Sequence, residues 1–170
     1  AVPEKATVVV KGYSADEIDA FRAALPEDIT VDVEVNGDLT TMVVNGKAAH
    51  ASAPQSGKNS VTAAIRALGT MKTDDESADF FASIANVLAY GEFHGESMGI
   101  QAQDAKSGAL TFVFSMIDYE NGAFSGAFDI RFPISECVAS VRAKIEKTIA
   151  TVGLDMIGFK GVEPHYVDEN

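Results

Sequence analysis

Residues 29–44 constrain the fold more than any other stretch. Ile29, Val31, Val33 and Val35 alternate with Thr30, Asp32 and Glu34, so an extended segment has one apolar and one wet side. Asn36-Gly37, a strong short-range hairpin signal, comes next, and residues 39–44 supply the returning strand. An antiparallel sheet with one covered face is required, and helices must cover it.

The flanking segments provide those helices. Thr7-Val8-Val9-Val10 reads as a buried strand. Ser14-Ala15-Asp16-Glu17 reads as a capping box that opens a helix with Ile18, Phe21 and Leu25 inward and Pro26 at its end. Residues 61–68 form a second helix. Thr73-Asp74-Asp75-Glu76 is expected to cap a third, which carries Phe80, Phe81, Ile84, Val87 and Leu88 and stops at Gly91. Residues 91–108 read as a polar loop. Leu110, Phe112, Phe114 and Met116 alternate as a strand, residues 118–122 turn the chain, and residues 123–132 return with Phe124, Phe128, Ile130 and Phe132 on one face. Ser125, Asp129 and Arg131 share the other face. Ser135 is expected to cap a last helix with Val138, Val141, Ile145, Ile149 and Val152 inward, ended by Gly153, and residues 154–160 to form a last strand.

The expected order is β-α-β-β-α-α-β-β-α-β, with a weak strand–helix–strand repeat at 7–35 and 124–160. This is an α+β pattern: an open, mostly antiparallel sheet with helices on one face. It amounts to a ferredoxin-like βαββαβ unit plus an extra strand–helix–strand half-repeat. The 170 residues allow one domain or two packed subdomains, approximately 1–36 with part of 110–170, and 37–109.

Composition narrows the partners. Hydrophobic residues make up 46% and charged residues 22%, ordinary for a water-soluble globular domain, and the net charge of −12 opposes binding to nucleic acid or an anionic membrane. No apolar run is long enough to span a bilayer, and no signal sequence is visible. Cys137 is the only cysteine, so no internal disulfide forms and a cytoplasmic setting is expected; its helical spacing reads as a buried structural thiol.

Residues 44–60 are the candidate site. A lone His50 sits among Ala48, Ala49, Ala51, Ser52 and Ala53, small neighbours that leave its ring approachable, and glycines 46 and 57 are expected to set the turns on either side. Ser56-Gly57-Lys58-Asn59-Ser60 looks like the tail of a phosphate-binding loop. That motif needs Gly where Ser52 stands and Ser or Thr where Asn59 stands, so nucleotide binding is excluded. A hydrolytic metal centre needs three or four convergent ligands, whereas the three His and one Cys are scattered. Glu92-Phe93-His94-Gly95-Glu96, the one acidic–His cluster, reads as a solvated loop, and His165 as exposed linker. No nucleophile–base pair can be argued from Ser52 and His50 on proximity alone.

Three segments together resemble the lid or dimerisation domain of zinc-dependent aminoacylase/carboxypeptidase-type metallopeptidases, and within them the peptidase V-like dipeptidases. They are Gly46-Lys47-Ala48-Ala49-His50-Ala51-Ser52-Ala53-Pro54 with Gly57-Lys58-Asn59-Ser60; Ala123 through Asp129-Ile130-Arg131-Phe132-Pro133; and Val162-Glu163-Pro164-His165-Tyr166-Val167. The resemblance implies a 1–170 lid domain excised from a longer dipeptidase. The zinc-binding catalytic domain would be absent, and a substrate-binding Asn would lie just before Ala1. It implies that His50 stabilises the oxyanion of the tetrahedral intermediate and that Arg131 grips the substrate's carboxylate, with Asp129 orienting the Arg. No metal is expected on this chain, which alone should be inactive. The parent is expected to be monomeric, because the extra half-repeat lets one lid imitate a dimer's pair. Where the family often carries Asn-x-Gly, this chain has Val113-Phe114-Ser115. The rival reading is a stand-alone ferredoxin-like interaction or small-molecule-sensing module without catalytic activity.

Overall fold

The expected hairpin is present, and in a computed structural model it lies at the heart of a three-stranded sheet. The structure describes residues 1–133 and 137–159. Strands β1 (Lys5–Lys11) and β2 (Thr30–Asn36) both pair antiparallel with β3 (Leu39–Asn45), in the order β1-β3-β2. Helix α1 (Ala15–Ala24) carries the chain from β1 to β2. This is a split β-α-β unit: two parallel strands joined by a helix, with a third strand inserted antiparallel between them. The sheet therefore crosses the boundary expected at 36/37.

Register follows from the turn. Asn36 opposes Leu39, leaving Gly37-Asp38 as a two-residue loop in which Gly37 takes a φ of 64°. The same register sets Val8, Met42 and Val33 side by side, and Ala6, Val44 and Val31 likewise, on the helix-covered face. Strand β1 is thus not buried on both sides as expected. Its outward Val9 is 59% exposed, because only one face of the sheet is covered.

Helix α1 forms the expected capping box. Ser14 accepts from the Glu17 N–H, and Glu17 accepts from the Ser14 N–H. These bonds hold the Glu17 carboxyl below the usual carboxylate range. Ile18, Phe21 and Leu25 are buried as expected.

Helix α2 (Ser60–Leu68) is the central support. Every residue from Ser60 to Ile65 is buried, and the helix packs on α1, α3 (Ser77–Ile84), β1, β3 and the later strand β6 (Thr111–Glu120). A helix covered on nearly every side must be apolar or small all round, and Val61, Ala63, Ala64, Ile65 and Ala67 meet that need. Its N-terminus is capped by Asn59, whose Oδ1 accepts from the N–H groups of Val61 and Thr62 at 3.0 and 3.1 Å. The same side chain donates through Nδ2 to the Phe114 carbonyl at 2.8 Å, across 55 residues of chain.

The second expected capping box does not form. Helix α3 begins at Ser77, with Asp75 accepting from the Ser77 N–H at 2.9 Å and Thr73 from the Ala78 N–H at 3.2 Å, while Glu76 makes no side-chain cap. The first bond holds the Asp75 carboxyl below its usual range. The helix ends at Ile84, before the expected Gly91, and Leu88 enters the core from the following turn. The loop beyond is not merely solvated. Met98 and Ile100 are fully buried, and two short strands, β4 (Gln103–Asp104) and β5 (Gly108–Ala109), pair within it.

Strands β6 and β7 (Ala123–Arg131) form a second hairpin closed by Asn121-Gly122, with φ of 51° and 82°. Gly126 faces the Phe114 ring, and a Cβ there would collide with it. Helix α4 (Val138–Ala150) buries Val141 and Ile145. Its expected cap, Ser135, lies outside the described residues. The expected last strand is absent over residues 154–159. Leu154, Met156 and Phe159 pack against the core, Phe159 with its ring 6.1 Å from that of Phe128, but they form no ladder with β7. Cys137 is exposed at the position preceding α4, not buried as its spacing suggested. The observed fold is thus α+β with antiparallel sheets, the second strand–helix–strand being a hairpin plus helix.

Two stability predictions follow from these contacts. Asn59→Ala removes a cap and leaves the Phe114 carbonyl short of its donor, costing about 2–3 kcal/mol in denaturant melts. Asn59→Asp keeps the cap acceptor yet sets a carboxylate oxygen against that carbonyl, so a variant as stable as wild type contradicts the cross-link. Tyr90 donates to Asp28 Oδ1 at 3.0 Å, and burial first, then this bond, push its hydroxyl up to about 12 from 10.0. The raised value means the neutral phenol is favoured in the folded state. Its stabilisation is complete below pH 10 and is lost as pH rises toward 12. The stability difference between wild type and Tyr90→Phe should therefore be constant up to pH 10 and shrink above it.

Candidate functional site

Leaving β3, the chain makes a loop over residues 46–58 whose ends are locked together. Lys47 donates to the Lys58 carbonyl at 2.9 Å and Lys58 to the Lys47 carbonyl at 2.8 Å. The two glycines serve this closure rather than the turns expected of them. A Cβ on Gly46 would collide with the Lys58 carbonyl, and one on Gly57 would lie 2.7 Å from the Lys47 oxygen and 2.8 Å from the Ala49 methyl. Residues 2–4 strap the loop from outside: Val2 donates to Ala49, Ser60 to Pro3 and Gly46 to Glu4.

His50 stands exposed on this braced loop. Its Nδ1 lies 2.7 Å from Ser52 Oγ and accepts from the Ser52 N–H at 3.1 Å, while the His50 carbonyl accepts from the Ala53 N–H at 3.0 Å. The next carbonyl, of Ala51, accepts from Thr111 Oγ1 at 2.9 Å. Thr111 opens β6 and is paired directly with Arg131 at the end of β7. Residues opposite one another in an antiparallel ladder share a face, so Arg131 projects on the side where Thr111 meets the His50 loop. Arg131 is exposed, and its side chain makes no hydrogen bond or ion pair with another described residue. The Asp129 carboxylate, one residue pair further along the same strand face, lies 3.0 Å from the Ala1 amino nitrogen.

The other singled-out residues build structure. Lys58 reaches Asp28 at 3.9 Å, and Asn59 is the cap described above. Glu92 accepts from the Ser97 N–H and hydroxyl, Glu96 from the His94 N–H, and His94 Nδ1 donates to the Leu110 carbonyl at 2.9 Å. That cluster is a loop brace, and no three His, Cys, Asp or Glu side chains among the described residues converge as a metal would require. Strand β6 is bulged between Phe114 and Met116. His165 and residues 162–167 lie outside the described residues. Sequence reasoning missed Asn59 and Thr111 as the residues that place the loop. An Asn one position before an apolar helix was the available signal for the first; nothing local marked the second.

The fold is thus an α+β domain with an exposed His50 on a braced loop and an exposed Arg131 at the end of β7. The chain belongs to the peptidase dimerisation domain family, whose profile matches residues 35–156. Among curated proteins it is 32% identical over 136 residues to the Beta-Ala-Xaa dipeptidase of Lactobacillus delbrueckii subsp. lactis, covering 79% of this chain and 28% of that protein. It is 26% identical over 170 residues to a protein of Staphylococcus aureus (strain USA300) with the provisional name dipeptidase, covering 98% of this chain and 36% of that one. A counterpart with the same provisional name from strain MRSA252 matches at the same identity and coverage. The chain thus spans 28% to 36% of the length of these relatives.

The loop closure is testable by crowding it. Gly46→Ala should destabilise the protein by about 1–3 kcal/mol, since a backbone carbonyl must move. Gly158→Ala, with nothing within 4 Å of its Cβ, should change stability by less than about 1 kcal/mol. Equal melting temperatures for the two variants contradict the close approach at the loop's neck.

Proposed function

We propose that this chain is the lid of a zinc-dependent dipeptidase. In this reading it covers the active site of a catalytic domain outside this sequence and lends that site His50 and Arg131. The observation that carries the reading is the Thr111–Ala51 hydrogen bond, which sets the His50 loop against the strand end bearing Arg131. The dipeptidase names of the relatives support the substrate class. Zinc has no converging ligand set among the described residues, so our reading assigns it to the catalytic domain, with the isolated chain inactive. A reducing cytoplasm suits a chain with a single cysteine.

Hydrolysis of a peptide bond passes through a tetrahedral intermediate whose former carbonyl oxygen is negative. A fixed N–H donor aimed at that oxygen lowers the barrier, because its interaction strengthens as charge develops. His50 offers such a donor from a braced loop. Arg131 offers a planar fork that can take both oxygens of a dipeptide's terminal carboxylate. Its exposure and lack of a partner among the described residues leave that fork available.

The family match begins at residue 35, so β1, α1 and nearly all of β2 precede it. These strands occupy both edges of β3. That arrangement supports a parent enzyme that works as a monomer, with the half-repeat standing in for a partner.

In the full-length enzyme His50→Ala should lower kcat about 10²–10³-fold, while Arg131→Ala should chiefly raise KM and Arg131→Lys should rescue it poorly. Melts must match wild type, and the parent should sediment as one subunit. A folded His50→Ala enzyme with unchanged kcat and kcat/KM sinks the assignment, and an obligate dimer with shared sites sinks the monomer.

A further inference from the structure

Both partners of His50 Nδ1 belong to Ser52: the backbone N–H at 3.1 Å and the hydroxyl oxygen at 2.7 Å. A backbone amide can only donate, so Nδ1 must present its lone pair and the proton of the neutral ring resides on Nε2. The hydroxyl rotates freely and then donates as well. The opposite tautomer would aim Nδ1–H at the Ser52 N–H, two donors facing each other, and would forfeit that bond. The peptide links around the ring are also fixed, through Ala53 N–H to the His50 carbonyl and Thr111 to the Ala51 carbonyl.

We propose that Ser52 is the positioning residue of His50: its N–H and hydroxyl hold Nδ1 as an acceptor, so that the ring presents Nε2–H outward as a hydrogen-bond donor. The proposal rests on the reading of His50 as the oxyanion donor and specifies how the loop makes it one. The donor exists in the neutral ring, so it needs no added proton. The serine is exposed and contributes nothing to the core, which separates this role from a structural one. Sequence spacing alone could have suggested a Ser–His nucleophile pair. The geometry instead makes the serine serve the histidine: its N–H and hydroxyl share the Nδ1 lone pair, which leaves Nε2–H as the ring's outward donor.

The test reads the ring nitrogens directly. Nitrogen-15 NMR of this chain, at a pH where His50 is neutral, should show the N–H on Nε2 and an acceptor signature on Nδ1. Ser52→Ala should melt as wild type does but raise the Nδ1–H fraction, and Ser52→Thr should restore the wild-type spectrum. In the full-length enzyme Ser52→Ala should lower kcat about 3–10-fold, the worth of one hydrogen bond, with KM unchanged, and Ser52→Thr should recover most of it. A wild-type ring protonated on Nδ1 overturns the proposal, as does a Ser52→Ala variant with unchanged ring shifts and unchanged kcat. The two readings fail separately. A harmless His50→Ala removes the oxyanion role while the spectrum still decides the tautomer; a damaging His50→Ala with Nδ1–H in the wild type removes only the role of Ser52.

Discussion

The buried side chain of Asn59 is the junction on which the rest depends. Its oxygen ends the loop by capping α2, and its nitrogen fixes the β6–β7 hairpin to that cap through the Phe114 carbonyl. Helix α2 is packed on nearly every side, so its start point decides where the sheet, α3 and the hairpin meet. A buried amide with three satisfied bonds is rigid, since breaking any one strands a polar group away from water. The loop that begins at Gly46 therefore has a fixed exit as well as a fixed entrance.

That rigidity matters for the side chain we propose as a donor. His50 is exposed, yet the backbone on either side of it is tied to the N-terminal strap, to Lys58 and to Thr111. An exposed donor on a loose loop would lose its advantage to conformational entropy, whereas a braced one keeps its aim. Arg131 gains its place from the register of β7 against β6, and so from the same hairpin that Asn59 anchors. Membership of the peptidase dimerisation domain family gives this geometry its context, and residues 1–34 add a strand–helix–strand before the family match.

The fold was legible where one short stretch carries its own answer. The alternation from Ile29 to Val35 and the Ser14–Glu17 box are local codes that form as read, and Asn36-Gly37 does mark a hairpin, with Gly37-Asp38 as its loop. The turn expected over 118–122 shortens to Asn121-Gly122, because β6 runs on to Glu120. Legibility failed where a distant partner decides. Residues 154–159 bring Leu154, Met156 and Phe159 to the core as a strand might, but no ladder bonds join them to β7. Thr73 and Glu76 have the spacing of a cap, yet Asp75 reaches the helix start first and displaces Glu76. The glycines flanking the His50 loop looked like turn residues, and their reason is a carbonyl at the loop's other end, of Lys58 for Gly46 and of Lys47 for Gly57. At the site, His50 and Arg131 could be named from sequence resemblance. The link between them could not, because Thr111 looks like any strand threonine until its hydroxyl meets Ala51.

The central claim is that this chain lends a donor and an anchor to chemistry performed on another domain. The most direct measurement is a crystal structure of the full-length protein with a dipeptide analogue whose tetrahedral phosphinate mimics the intermediate. The account predicts His50 Nε2 at about 2.7–3.1 Å from one phosphinate oxygen, with the Arg131 fork on the terminal carboxylate. An analogue bound entirely by other groups, with His50 and Arg131 both facing solvent, would contradict it.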